Sequence, residues 1–349
     1  MFHTDHSSQR SKFGTVKPGW LSKLGLMAYP TVKVYHGYGR DGQLQVFGHV
    51  FSLAPRPRRT YNRNVLRNMW ALIRLFVVRP KADAAVHLVW QGERIDAVTA
   101  KDGFFHFQWA PQQPTDAGWH TVTVAHTEKG EILAEGEGSV YIPYRTQYGC
   151  ISDIDDTFLV SHSSRLLKRL YLLFTRNART RRPFEGVALH YSLLGTAGTT
   201  EDVPNPFFYV SSSEWNLYNY IREFSRTYGL PEGVYLLSQV KRVTQLLATG
   251  QGKHATKFTR ISRILENYPS TRFVLLGDDT QQDPAIYLAI ARHFPERVLC
   301  VYLRQVRKTP AAGVQAVVAA IRELGVECCY FRHSEEAIAH SRETGLIAG

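Results

Sequence analysis

The chain has little cysteine, no long hydrophobic run and, over two segments, no acidic residue at all. The four cysteines, Cys150, Cys300, Cys328 and Cys329, show no CxxC spacing. That excludes a zinc ribbon or a disulfide framework and leaves four small buried hydrophobes in a reducing compartment. The longest apolar stretch, Leu66 to Val78, is broken by Arg67, Asn68 and Arg74, so nothing reaches the ~18 apolar residues of a membrane span. The first residues, MFHTDHSSQRSKFG, hold no apolar core of a secretory signal. No internal repeat and no low-complexity tract interrupts the chain. The expectation is a cytoplasmic protein, peripheral to membranes if it meets them.

What is present fits a folded chain: 44% apolar and 21% charged residues over 349 positions, enough for about two domains at ~150 residues each. The net charge is +12. Such an excess suits a polyanionic partner, whether nucleic acid, an acidic membrane surface or a phosphorylated substrate, and does not choose among them. Its placement says more. Gly42 to Ala82 carries eight basic residues and no acid, and Phe158 to Phe184 carries seven and no acid.

Residues 1–30 are polar and expected to form an N-terminal arm. Residues 31–145 alternate apolar and polar positions in short runs (TVKVYHGY, LQVFGHVFSL, AVHLVW, FFHFQW, HTVTVAH) separated by turns such as Lys101-Asp102-Gly103 and Glu128-Lys129-Gly130. That pattern predicts a small β-sandwich-like domain with a basic helical insertion over 56–81. Residues 146–349 change rhythm. Short apolar runs (YGCISDID, PFFYVSS, VYLLS, RFVLLGD, VLCVYL, VECCYF) alternate with helical stretches. The expected class is α/β: a doubly wound parallel sheet, buried on both faces, with a basic cap-like insertion over 158–206. Ligands of such sheets lie beyond the carboxyl ends of the strands.

Three of those strands end in polar residues. The first gives Ser152-Asp153-Ile154-Asp155-Asp156-Thr157, the second Ser211-Ser212-Ser213, the third Gly277-Asp278-Asp279-Thr280-Gln281-Gln282-Asp283. A helix opening at Lys257 leads into the third. Two carboxylates separated by one residue at a strand end point into one crevice. One can attack phosphorus as a nucleophile while the other moves protons. Asp278 and Asp283 can complete a hard-cation site for Mg²⁺. A Ser hydroxyl and a Lys ammonium would offset charge on the non-bridging phosphate oxygens. Asp-rich strand ends are also ordinary caps and turns; the ordered series of motif, Ser, Lys and GDxxxxD is what carries the chemical reading.

The segments SDIDDT, YVSSSEWNLY, GLPEG, KFTRISRILENYP, FVLLGDDTQQDPAIY and EEAIAHSRETGLI resemble the haloacid-dehalogenase-type (HAD-like, Rossmannoid) phosphatase domain of the App1-like phosphatidate phosphatases. VYHGYGRDGQLQVFGHV and the KDGFFHF turn resemble that family's N-terminal β domain. The resemblance implies Asp153 as nucleophile, Asp155 as general acid/base and Thr157 as the residue closing the motif at the phosphate. It implies Ser211 as the phosphate-binding serine with Ser212 as runner-up, and Lys257 as the phosphate-site lysine with Lys253 as rival. It implies a Mg²⁺ site of Asp153, Asp155, Asp278 and Asp283. Asp156 fits a helix cap or a supporting group. Asp279 departs from the pattern, where a small residue is expected; its charge would tighten the metal or weaken phosphate binding.

Ser161 to Pro183 repeats Leu166, Leu167, Leu170, Leu173 and Phe174 at helical spacing, with Arg165, Lys168, Arg169 and Arg176 around them. The reading, joined to the resemblance, is an interfacial helix on acidic lipid; a cap helix packed on its domain is the structural alternative. The stripe Val65, Leu66, Met69, Trp70, Ile73, Phe76 and Val77 fits either role equally. No nucleic-acid-binding motif accompanies the charge. The implied function is Mg²⁺-dependent hydrolysis of a lipid phosphomonoester, phosphatidate first, to diacylglycerol and phosphate. The alternatives are a phosphatase of soluble phosphomonoesters or phosphoproteins, and a non-catalytic module that binds acidic lipid.

Overall fold

The computed structural model describes residues 26–40, 42–55, 74–153, 182–238, 253–279, 282–306, 309 and 313–348. Among the described residues, the N-terminal half is chiefly β, with residues 74–75 helical: β1 (Leu26–Met27), β2 (Thr31–Val34), β3 (Gly37–Arg40), β4 (Gln43–Pro55), β5 (Arg79–Pro80), β6 (Ala85–Trp90), β7 (Glu93–Val98), β8 (Phe104–Trp109), β9 (Gly118–Glu128) and β10 (Glu131–Ile142). Alternation sets which face is buried. In β8, Phe105, Phe107 and Trp109 point inward while His106 and Gln108 face solvent. Val46, Val50, Leu88, Phe105, Phe107, Val124 and Val140 meet in one core.

All ten strands form one hydrogen-bonded network, in keeping with the β-rich N-terminal half expected from the sequence. The long β4 makes this possible by pairing with β1, β2, β3, β5 and β8 along its length. The end of the expected arm is part of it, since Leu26 and Met27 pair with Pro55 and Ala54. Strand β10 was missing from the sequence expectation because its residues, EILAEGEGSVYI, alternate acids and glycines rather than apolar groups. Its glycines have a steric cause: a Cβ on Gly136 would stand 2.4 Å from the Val32 carbonyl of the strand lying across it.

The second half is a six-stranded parallel sheet of β11 (Gly149–Asp153), β12 (Phe207–Glu214), β13 (Gly233–Ser238), β14 (Phe273–Asp278), β15 (Val298–Arg304) and β16 (Glu327–Phe331), in spatial order β13-β12-β11-β14-β15-β16. Among the described residues its helices are α1 (Arg182–Thr196), α2 (Tyr218–Thr227), α3 (Lys253–Asn267), α4 (Asp283–His293), α5 (Val314–Glu323) and α6 (Ser334–Glu343). Residues of α1, α2 and α6 pack on one face, among them Val187, Tyr191, Leu194, Ile221 and Ala337. Residues of α3, α4 and α5 pack on the other, among them Ile261, Ile264, Ile290, Val318 and Ile321. The sheet is therefore doubly wound, and its order reverses between β11 and β14. A crevice forms at such a reversal, beyond the carboxyl ends of the strands. Helix α1 lies within the segment 158–206 expected as a cap-like insertion, yet Val187, Tyr191 and Leu194 belong to the main core. Among the described residues it is the helix of the crossover between β11 and β12.

The two halves share their cores. Tyr35 and Phe76 of the β domain are buried with Trp215 and Tyr218, and Tyr38 and Tyr141 with Phe208 and Tyr268. Of the helical stripe proposed from Val65 to Val77, Phe76 is thus a core residue, while 56–73 lie outside the described residues. The four cysteines are buried and free.

Three histidines are buried, and burial lowers the pKa of each. Burial pushes His36 down to about 4, with Arg222 adding to it; His49 falls to about 3 and His190 to about 4, again chiefly by burial. Each has a neutral partner: Gly233 O at 3.0 Å, Tyr35 Oη at 3.0 Å and Ser341 Oγ at 2.8 Å. A depressed folded-state pKa contributes stability that is present above the unfolded value of ~6.5 and is lost as pH falls toward the folded one. Acidification from pH 7 to pH 5 should therefore cost about 2 kcal/mol per histidine. Urea midpoints at the two pH values measure this, and a flat midpoint would show that the histidines are not held neutral.

Candidate active site

The carboxyl edge of the parallel sheet collects the polar strand ends. Asp153 closes β11, Asp278 closes β14 and Arg304 closes β15; Ser211 lies near the end of β12. Asp153, Ser211, Asp278 and Asp283 are fully buried. The register sets Ser152 beside Leu276 and Asp278 beside Arg304, so Asp153 and Asp278 occupy neighbouring strands at the reversal point.

Lys257 reaches this edge because of its helical register. With Ile261, Ile264 and Leu265 it forms the sheet-facing stripe of α3, and it sits near the start of that helix, which in a crossover lies at the carboxyl edge. Its Nζ is 2.9 Å from Asp153 Oδ1 and also donates to Asp283 Oδ1. Burial alone would lower its pKa, but the carboxylates of Asp153 and Asp283 outweigh it and hold the ammonium above the usual lysine range. Lys253, the rival, is the first residue of α3, one turn earlier.

Asp283 stands in the first turn of α4, where the helix dipole favours an anion. Its second oxygen accepts the Asp278 backbone N–H at 3.4 Å. Burial raises its pKa, Lys257 opposes this, and Asp278 adds to the rise. Both oxygens are thus engaged inside the protein, which makes Asp283 a support for Lys257 and for the Asp278 turn. The close approach requires Gly277, where a Cβ would stand 2.5 Å from Asp283 Oδ2 and 2.8 Å from the Tyr287 ring. Tyr287 seals the floor by donating to Leu276 O at 2.8 Å.

The ladder between β12 and β13 breaks at the serines. Val210 pairs with Leu236 and Glu214 next with Ser238, so three residues stand opposite one. Bulges of this kind re-aim side chains beside active sites. Ser211 Oγ accepts the Ser213 N–H at 2.9 Å. Ser212 is half-buried beside it.

Asp279 corrects an expectation. Its carboxylate turns away from the crevice, accepting the Val306 N–H at 2.9 Å and the Tyr330 hydroxyl at 2.8 Å, while its own N–H donates to Arg304 O at 3.1 Å. It ties β14 to β15 and β16 rather than adding charge for a metal.

Two residues absent from the sequence expectation belong to the site. Arg260, one turn after Lys257, donates to Ser211 O at 2.8 Å and to Ser238 Oγ at 3.0 Å, clamping the bulge. Its i+3 spacing from Lys257 was the available signal. Arg304 is a nearly buried cation beside Asp278. Burial depresses its pKa, while Tyr191 and Asp278 favour its charged form. A basic residue closing the apolar run VLCVYL was the clue. Asp155, Asp156, Thr157, Arg165, Lys168, Arg169 and Arg176 lie outside the described residues.

The donor chemistry suits a hard cation. Asp153 and Asp278 offer carboxylate oxygens, and the buried Asp153, Asp278 and Asp283 outnumber Lys257 and Arg304. Among the described residues, no three acidic, histidine or cysteine side chains group closely enough to hold a metal by themselves; Asp155 would have to join them. No helix among the described residues is long and apolar enough to cross a membrane.

The family model described as "Phosphatidate phosphatase APP1, catalytic domain" matches residues 148–305, the span from β11 to the end of β15 that carries every site residue placed above. The phosphatidate phosphatase APP1 of Saccharomyces cerevisiae is 26% identical over 159 residues, covering 45% of this chain and 25% of that protein. An uncharacterized protein of Schizosaccharomyces pombe is 26% identical over 190 residues, covering 53% of this chain and 29% of its own length. The chain thus spans between a quarter and a third of the curated relatives it matches. Among solved structures, a carbohydrate acetylesterase from Xanthomonas citri aligns over 89% of this chain and 73% of that chain, at 10% identity and a TM-score of 0.32, too low to bear on fold or function.

Proposed function

We propose, on the premise that residues 148–305 are an App1-type catalytic domain, that the protein is a Mg²⁺-dependent phosphatase of HAD-like fold acting on a lipid phosphomonoester, with phosphatidate as substrate. The observation that carries this reading is the Lys257 ammonium held between Asp153 and Asp283 at the strand-order reversal, with Asp278 on the neighbouring strand.

In this reading Asp153 Oδ attacks phosphorus. An Asp153 O–P bond forms as the bond to the glycerol oxygen breaks, and Asp155 delivers a proton to that oxygen, releasing diacylglycerol. Asp155 then takes a proton from the water that attacks the aspartyl-phosphate, freeing phosphate and restoring Asp153. Lys257 balances charge on the non-bridging oxygens, and the Ser211 bulge with Ser212 offers hydroxyl and N–H donors. Thr157 closes the motif on the phosphate. Asp153, Asp155 and Asp278 would hold Mg²⁺, with Asp283 behind them. When bound, the ion supplies Lewis-acid stabilisation of the phosphoryl oxygens.

Phosphate release from a panel of lipid and soluble phosphomonoesters tests the reading. Activity should vanish in excess chelator and return with Mg²⁺, and Asp278→Ala should raise the Mg²⁺ concentration needed. Full activity in chelator would remove the metal from the account. Lipid and soluble substrates are separated by changing Arg165, Lys168, Arg169 and Arg176 to Gln. Each basic residue near an anionic bilayer contributes about 1 kcal/mol, screened by salt. The quadruple variant should sediment less with anionic vesicles and hydrolyse vesicle-borne phosphatidate more slowly, while retaining its rate on a soluble phosphomonoester. Equal losses on both would place these residues in a structural role.

A further inference from the structure

We infer that the N-terminal β domain positions the Ser211 anion-binding bulge of the catalytic domain, acting through Tyr35. The inference rests on the phosphatase reading for the role of Ser211.

Residues 211–213 stand opposite a single residue of β13, out of the regular β12–β13 register. The conformation of such a bulge depends on what holds its two ends. The entry is held within the catalytic domain, where Arg260 donates to Ser211 O at 2.8 Å. The exit is held from outside it. Directly after Glu214 the chain makes a 3₁₀ turn, Trp215–Leu217, and that turn is seated on the β domain. The Tyr35 ring stacks on Trp215 at 4.2 Å between centroids and 14° between planes. Asn216 Nδ2 donates to Leu75 O at 2.8 Å, and the His36 N–H donates to Tyr218 Oη at 2.8 Å. The His36 ring adds a bond to Gly233 O, on the strand paired with β12.

Tyr35 is itself anchored within the β domain. Its backbone N–H donates to Phe47 O at 2.8 Å, its hydroxyl meets His49 Nδ1 at 3.0 Å, and it is wholly buried. A buried, hydrogen-bonded aromatic in one domain therefore packs against the residue that begins the exit from the bulge in the other. Loose positioning of an anion site by even an ångström weakens it strongly. The β domain accordingly contributes to binding the phosphate rather than to the chemical step.

The test uses the full chain with Tyr35→Leu, which removes the stacked ring, and Tyr35→Phe, which keeps it and loses only the hydroxyl. KM for a soluble phosphomonoester, the inhibition constant of inorganic phosphate, kcat, the Mg²⁺ requirement and the thermal midpoint are measured for each. Tyr35→Leu should raise KM and the phosphate inhibition constant together by about ten-fold, the equivalent of one weakened hydrogen bond to a charged group. Its kcat and Mg²⁺ requirement should stay within about three-fold, and Tyr35→Phe should match the wild type in both constants. Asn216→Ala, which cuts the Leu75 tether, should move the same two constants in the same direction and serves if Tyr35→Leu does not fold. Folded variants with a lowered midpoint but wild-type KM and phosphate inhibition would overturn the inference. A wild-type protein that neither hydrolyses the substrate nor binds inorganic phosphate in calorimetry would instead overturn the phosphatase reading, and this inference with it.

Discussion

Asp153→Asn should bring phosphate release down by about 10⁴-fold or more, because an amide cannot form the phosphoenzyme bond. The fold should survive. Lys257 keeps its contact with Asp283, and the substitution removes one of three buried carboxylates, so the repulsion that raises Asp283 is not increased. A change in unfolding free energy within about 2 kcal/mol is expected, below the loss that follows when a buried charge is left without any counter-ion. Asp155→Asn should cost about 10²–10⁴-fold, the usual contribution of a general acid/base. The checks are phosphate release and a urea titration on the same preparation. Near-normal turnover by Asp153→Asn would end its assignment as nucleophile.

Lys257→Met should be severe in a different way. It removes the ammonium from between Asp153 and Asp283 and leaves buried carboxylates facing Asp278 without it. Loss of one partner of a buried ionic cluster costs about 3–5 kcal/mol, and loss of a charge-stabilising donor costs about 10²–10³-fold in kcat. The pH dependence separates this from a simple packing defect. Without Lys257, burial and Asp278 push the Asp283 pKa further above its ordinary value. A raised folded-state carboxyl pKa favours the native state as pH falls, since the neutral acid is the form that burial prefers. The stability gap between variant and wild type should therefore narrow from pH 8 toward pH 5. A gap that stays constant would mean that Lys257 contributes by shape and not by charge.

Much of the catalytic half was legible because its signals are local. Apolar runs of five to seven residues ending in Asp, Ser or Gly-Asp mark β11, β12 and β14 whatever they pack against. The helical stripe through Lys257, Ile261 and Ile264 likewise places the lysine on the sheet side of α3. The choice of Lys257 over Lys253 was open in the sequence, because both positions lie at the start of the same helix. Lys257 points inward, salt-bridged to Asp153, while the Lys253 side chain lies outside the described residues. Asp279 was misjudged for the reverse reason. Its neighbours in sequence are site residues, but its partners, Val306 and Tyr330, come from the loop after β15 and from β16.

The amino-acid sequence by itself determined the α/β class of residues 146–349 and the polar residues at the carboxyl ends of its strands, since strand period, helix period and residue chemistry all act over a few neighbouring positions. Tertiary structure alone decided the rest. Strand order places β11 beside β14, so that Asp153 and Asp278 close neighbouring strands. Packing turns the segment 182–196 into a core helix and Asp279 into a strap. Docking of the β domain sets Tyr35 against Trp215, 180 positions away in the chain. The physical reason is common to all three. Each depends on contacts between residues remote in sequence, whose partners are chosen by burial and by the close fit of side chains, and no local period encodes which remote residue will arrive.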